Sequence, residues 1–293
     1  MMRFSSYHPA VSAVYFLSVL IITMFTTNPM LLLLAFLGGI GFCLKSDKGA
    51  RNIKSFCFYL LFFSLVSLTN PLFSHNGVTP LFFLNGNPVT LEALLYGLDI
   101  GLMLLAVIFW FKCLNLVITE DKLLFLFGRI SPKLALLISS ALRFIPLLKE
   151  QSAKIRQTQK SMGLFAGDAW TDKLKGTVRV YSSLITWALE NAADMGSSMK
   201  ARGYGLKGRS VYSLYRFRRA DGILLVLILC LDAVIFFALA SGRLAFDFYP
   251  QITVFSFDIY SIWAMAAFAI LSFLPFILEV KEDLQWNCYR SKI

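Results

Sequence analysis

Glu190–Ser210, ENAADMGSSMKARGYGLKGRS, reads as the closing turns of a helix that stops at Ala201-Arg202-Gly203. Ala188, Ala192 and Gly196 recur every fourth residue. That leaves one face nearly bare and lets a second helix approach closely. Arg202 falls in the final turn, where the helix dipole favours a cation. Gly203 and Gly205 supply the left-handed conformation that ends helices. Alone, this is a capped helix with a solvated arginine, and the surrounding chain decides what more it is.

Working backwards, the helix starts near Thr177, and Leu184, Ala188, Ala192, Met195 and Met199 form an apolar stripe at helical spacing. Glu190, Asp194 and Ser197 lie on its other side. Gly163–Gly176 before it is loop-like. Ser131-Pro132 starts an earlier helix that continues through Gln159 and ends at Met162-Gly163. Its Leu134–Leu148 stretch is apolar but too short to span a bilayer, and Arg143 and Pro146 interrupt it. Packing on protein or lying at the membrane interface suits it better. Two amphipathic helices, each ending at a glycine, make a helical hairpin. The whole region 119–219 is basic, with Lys122, Arg129, Lys133, Arg143, Lys149, Lys154, Arg156 and Lys160 in its first part.

Outside that region the chain is apolar. Of its 293 residues 57% are hydrophobic and 15% charged, against about 25% charged in soluble domains, and the mean hydropathy is +0.68. These values point to a polytopic membrane protein. Uncharged runs cover Ala10–Thr27, Pro29–Leu44, Ser55–Leu72, Leu91–Ile118, Gly222–Ala240 and Asp258–Leu278, with Glu92, Asp99, Lys112, Asp232 and the flanking Asp258 as exceptions. Leu91–Ile118 would be about 42 Å long as a helix, so it tilts or projects. Asp99 reads as a carboxylate hydrogen-bonded in the bundle or near the outer interface. Lys45, Lys48, Arg51 and Lys54 share one loop, Arg216, Arg218 and Arg219 precede the fifth run, and Phe73–Thr90 holds no Lys or Arg. The positive-inside rule then gives about six spans with both termini on the cytoplasmic side of a cell (inner or plasma) membrane. It also accounts for most of the net charge of +11, which in a soluble protein would suggest nucleic acid. The expected layout is an all-α bundle: spans 1–4 in residues 1–118, a cytoplasmic region at 119–219, spans 5–6 in 220–280, and a tail at 281–293.

Catalytic constellations are missing. Gly205-Leu206-Lys207-Gly208-Arg209-Ser210 has the wrong spacing for a phosphate loop, and no G-x-S-x-G or H-E-x-x-H occurs. His8 and His75 are far apart, and the five cysteines form no CxxC or paired framework. The chain is expected to bind no metal or cofactor. The spans hold few ionisable groups for an ion-driven pathway.

The motif pair resembles the transmembrane T component, EcfT or CbiQ-like, of energy-coupling factor transporters. That family carries two cytoplasmic coupling helices, each ending in Ala-Arg-Gly, with Ala-Gln before the first. The second motif is intact as Ala201-Arg202-Gly203. The first reads Thr158-Gln159-Lys160-Ser161-Met162-Gly163, so Gln159 and Gly163 match while Met162 stands where arginine is expected. Asn70–Gly77, Thr119–Arg129 and Leu142–Pro146 extend the resemblance over most of the chain. It implies a non-catalytic scaffold for vitamin or transition-metal import. Two ABC ATPase subunits, which hold the ATP and Mg, would receive Gln159, Ser161, Met162 and Gly163 at one helix end and Ala201, Arg202 and Gly203 at the other. A membrane substrate-binding S component would meet Leu184, Ala188, Ala192, Met195, Gly196 and Met199. Because Met162 cannot pair with a carboxylate, the two ATPases are expected to be non-identical. Membrane lipid is a further partner, and nucleic acid is not. The competing readings are a stand-alone secondary carrier or channel, a membrane enzyme, and a basic protein of the membrane surface.

Overall fold

The computed structural model describes residues 3–46, 53–74, 77–84, 87–163, 170–206, 215–250, 252–253 and 258–290. Lys48, Arg51, His75, Asn76 and 207–210 lie outside the described residues. The chain divides into one unit of Met1–Leu123 with Tyr215–Ile293 and a second of Leu124–Leu214.

The first unit holds α1 (Arg3–Ser6), α2 (Pro9–Phe25), α3 (Pro29–Ser46), α4 (Ile53–Phe73), α5 (Leu91–Val117), α9 (Arg219–Ala240) and α10 (Ile259–Arg290). Between α4 and α5 lie two short strands, β1 (Pro80–Leu84) and β2 (Asn87–Thr90), paired antiparallel with Phe83 opposite Pro88. The helix α6 (Glu120–Ile130) leads out of this unit. The other two helices are α7 (Pro132–Ser161) and α8 (Trp170–Ala201).

Among the described residues, α3, α5, α9 and α10 are long and apolar enough to cross a membrane, and Pro9–Phe25 and Cys57–Phe73 are shorter apolar helices. The fold is an all-α membrane helix bundle. Helix starts follow local chemistry: Pro9 and Pro132 occupy first turns, and the Thr90 side chain accepts from Ala93 N at the head of α5.

Packing combines large aromatics with close backbone approach. Tyr15, Phe16, Phe42, Trp110 and Phe268 are fully buried. Trp110 Nε1 donates to Ala35 O (2.9 Å) and Tyr15 OH to Leu271 O (2.9 Å), so each ring buries its area with its polar tip satisfied. α4 meets α5 at Gly97 and Gly101. A methyl at Gly97 would land on Ser67 O, and one at Gly101 would lie 3.0 Å from the Phe63 ring. This small-xxx-small spacing lets membrane helices touch backbone to backbone.

Several expectations change. The loop 73–90 contains the β-hairpin. α10 does not stop at Leu278 but continues to Arg290, because residues 279–290 hold no Gly or Pro to end it. α8 begins at Trp170 instead of Thr177. Gly176 is buried within that helix instead of sitting in a loop, so it serves close packing. Asp99 is buried, and its Oδ1 has no hydrogen-bond partner among the described residues. Asp232 is buried too, and its Oδ1 likewise has no hydrogen-bond partner among the described residues.

Candidate functional site

The second unit is built on α7 and α8, which pack on one another. The residues they bury are Gln159 on α7 and Gly176 and Val180 on α8. Gln159 is 8% exposed and its Oε1 has no partner among the described residues. It therefore faces inward, apart from its neighbours Ser161, Met162 and Gly163, which are exposed.

Both helices end in the same way. At the end of α8, Gly203 N donates to Lys200 O (3.0 Å) and Tyr204 N to Met199 O (3.0 Å), with Gly203 at φ +84°. This pair of bonds is the Schellman cap, which needs a left-handed residue that glycine adopts without steric cost. At the end of α7, Gly163 at φ +77° repeats the inner bond by donating to Lys160 O (3.1 Å). Arg202 and Met162 each occupy the position just before that glycine. The two ends thus share backbone geometry and differ in the chemistry they present. One shows a guanidinium where the helix dipole favours a cation. The other shows a thioether that is 71% exposed.

The predicted stripe divides. Leu184, Ala188, Met195 and Met199 are half-buried, whereas Ala192 is exposed. Met195, Met199 and Arg202 line an open cavity of about 630 Å³ with Arg143, Ser139 and Asp194. At Gly196 an added methyl would meet nothing within 4 Å. The close approach expected over Gly196 is therefore not made among the described residues.

A second stripe escaped the sequence reading. Trp170, Leu174, Val178, Tyr181, Ile185 and Leu189 are between 50% and 76% exposed. Their spacing of four, four, three, four and four residues puts them on one face of α8, and that face continues through Ala192 and Gly196. The spacing is visible in the sequence, but the polar residues between it make the helix look balanced. Only the loop assignment of 163–176 hides the first two members.

At the neck of the first unit, Lys122 is buried and donates to Ser5 O, Ser5 Oγ and Val117 O. Burial pulls its ammonium below the ordinary lysine range. Burial first, and then the Asp121 carboxylate, hold the Tyr215 phenol above its usual value.

Among the described residues, four helices able to cross a membrane, two shorter apolar helices and an amphipathic hairpin with capped, exposed ends define a class: a multi-pass membrane protein. Residues 5–212 match the family model CbiQ, described as cobalt transport protein, and the chain belongs to that family. It is 39% identical over 106 residues to the "Energy-coupling factor transporter transmembrane protein EcfT" of Listeria innocua, covering 36% of this chain and 40% of that one. The protein of the same name from Bacillus subtilis is 34% identical over 107 residues, covering 36% and 40%. That from Lactobacillus helveticus is 35% identical over 91 residues, covering 30% and 33%. The matches thus span about two fifths or less of these relatives' lengths.

Proposed function

We propose that this chain is the transmembrane coupling scaffold of an energy-coupling factor uptake transporter of the ABC type. The observation that carries the reading is the hairpin's surface: two glycine-capped helix ends beside an apolar face of α8 that stands exposed among the described residues. An exposed apolar stripe of this length is unusual on a finished surface and suits a partner. A membrane S component that binds a vitamin or transition metal fits it, since both would be buried in one lipid-facing complex.

Arg202 would pair with a carboxylate in a groove of one ATPase, a charge-assisted contact whose loss can cost a few kcal/mol. Ala201 and Gly203 shape that end. Met162, with Ser161 and Gly163, would enter an apolar groove on a second, non-identical ATPase, and Gln159 would position that end from inside the hairpin. ATP and Mg belong to those subunits, and this chain is non-catalytic. It would sit in a bacterial cell membrane with both termini cytoplasmic.

Tagged chain isolated from its own host should bring down two different Walker-motif ATPases and a small hydrophobic protein. Transport by the purified chain alone in liposomes without ATP would contradict the proposal and favour a carrier. One ATPase species in two copies would contradict the non-identical pair.

A further inference from the structure

The chain leaves the first unit after Leu123 and rejoins it at Tyr215. A charged side chain is buried at each of these points, Lys122 and Asp221, and a third, Glu279, is buried on α10. Each is less than 8% exposed. A charge buried this far costs several kcal/mol unless hydrogen bonds replace its water.

The replacements all come from one short segment and its immediate surroundings. Lys122 Nζ donates to Ser5 O at 2.6 Å, Ser5 Oγ at 3.0 Å and Val117 O at 2.8 Å, so all three of its donors are used. Asp221 Oδ1 accepts from His8 N at 3.0 Å while its Oδ2 accepts from Arg218 N at 2.8 Å. Glu279 Oε1 accepts from Phe4 N at 3.2 Å. The amides of Phe4 and His8 lie at helix starts, where no intrahelical acceptor is available, so they are free to serve distant carboxylates.

Apolar contacts hold the same segment in place. Phe4 is fully buried, with its ring edge-on to Tyr15 at 5.2 Å, Phe16 at 5.9 Å and Phe42 at 6.2 Å. The His8 ring stands edge-on to Phe217 at 5.3 Å, on the returning strand of chain.

We propose that Arg3–His8 is a strap across the neck of the membrane unit. It holds the exit at Lys122, the return at Asp221 and α10 at Glu279 as one body, and its release frees the two points from which the Leu124–Leu214 unit is suspended. The strap binds mainly through backbone groups, so Phe4 and Ser5 are its side-chain determinants. It stands apart from the question of what docks on the hairpin.

The test is hydrogen–deuterium exchange on the full chain in lipid nanodiscs. Glu279→Leu removes the acceptor for Phe4 N, whereas Glu279→Gln keeps one. The Leu variant should raise exchange in peptides covering 3–9 and also 215–222, which Glu279 does not bond, by about tenfold or more, the effect of losing a hydrogen bond to a charged group. The Gln variant should stay within about threefold of wild type, and α3 and α5 peptides should be unchanged in both. Lys122→Met should reproduce the Leu pattern. The proposal is overturned if exchange rises only beside the substituted residue, or if Gln and Leu behave alike. If Lys122→Met does not fold, the Glu279 pair decides.

Discussion

Charging the exposed stripe of α8 should remove a membrane partner without harming the chain itself. Ile185 and Leu189 are 59% and 67% exposed. Fully burying such a side chain is worth about 1.5–3 kcal/mol, so covering the exposed part of each contributes roughly 1–2 kcal/mol. The double substitution Ile185→Asp with Leu189→Asp forfeits roughly 2–4 kcal/mol and adds the cost of desolvating two carboxylates. Retention of the small hydrophobic partner should fall by about 30-fold or more. The chain's own melting should shift little, because exposed substitutions usually stay within about 0.5 kcal/mol. The assay is quantitative mass spectrometry of the co-purified complex beside thermal unfolding of the isolated chain. Ser182→Asp with Thr186→Asp, exposed and off the stripe, is the control. The reasoning fails if the partner is retained at the wild-type ratio, or if the double variant unfolds the chain, since the face would then already be packed.

Gly97→Leu should wedge α4 from α5, with a cost of about 1–3 kcal/mol from overpacking. Thermal unfolding in detergent should show a lower midpoint, while Gly196→Leu, in open space, leaves it unchanged. Equal losses would contradict the two packing descriptions. Lys122 predicts a pH dependence. Its lowered pKa means that the folded state binds fewer protons than the unfolded state between that lowered value and the ordinary 10.5. Stability relative to Lys122→Met should therefore rise as pH climbs through that interval, with the full cost present below it. A flat difference in paired denaturation curves would be the contrary result. Met162→Arg should leave melting unchanged because the side chain is 71% exposed. It should reduce recovery of one of the two ATPases, as a cation cannot enter an apolar groove unpaired.

Helix ends marked by proline and glycine were legible from local chemistry. Pro29, Pro132, Gly163 and Gly203 stand where the sequence places them, because each either lacks a donor or adopts a conformation that others avoid. Apolar runs likewise announce the membrane helices. Gly176 misled because glycine serves both turns and tight helix contacts, and only its burial tells them apart. Gln159 belongs to the motif that runs to Gly163 and faces inward, since a motif's spacing does not tell which face of α7 its members occupy. The stripe from Trp170 to Leu189 was overlooked for the opposite reason: the Leu184 to Met199 series has similar periodicity and sits nearer the motif. The roles of Lys122, Asp221 and Glu279 depend on contacts across more than a hundred residues for each of the three with the segment from Phe4 to His8, and no local pattern announces them.

The central claim is that the Arg202 end of α8 receives an ATPase. The measurement is the amount of each ATPase recovered per tagged chain, for wild type, Arg202→Lys and Arg202→Glu, from the native host. Arg202 is exposed, so folding is spared. Arg202→Glu should lose one ATPase while keeping the small hydrophobic partner, and Arg202→Lys, which keeps the charge but not the planar fork, should fall between. Equal recovery of both ATPases from all three proteins would contradict the claim and leave Gly203 as a plain helix cap.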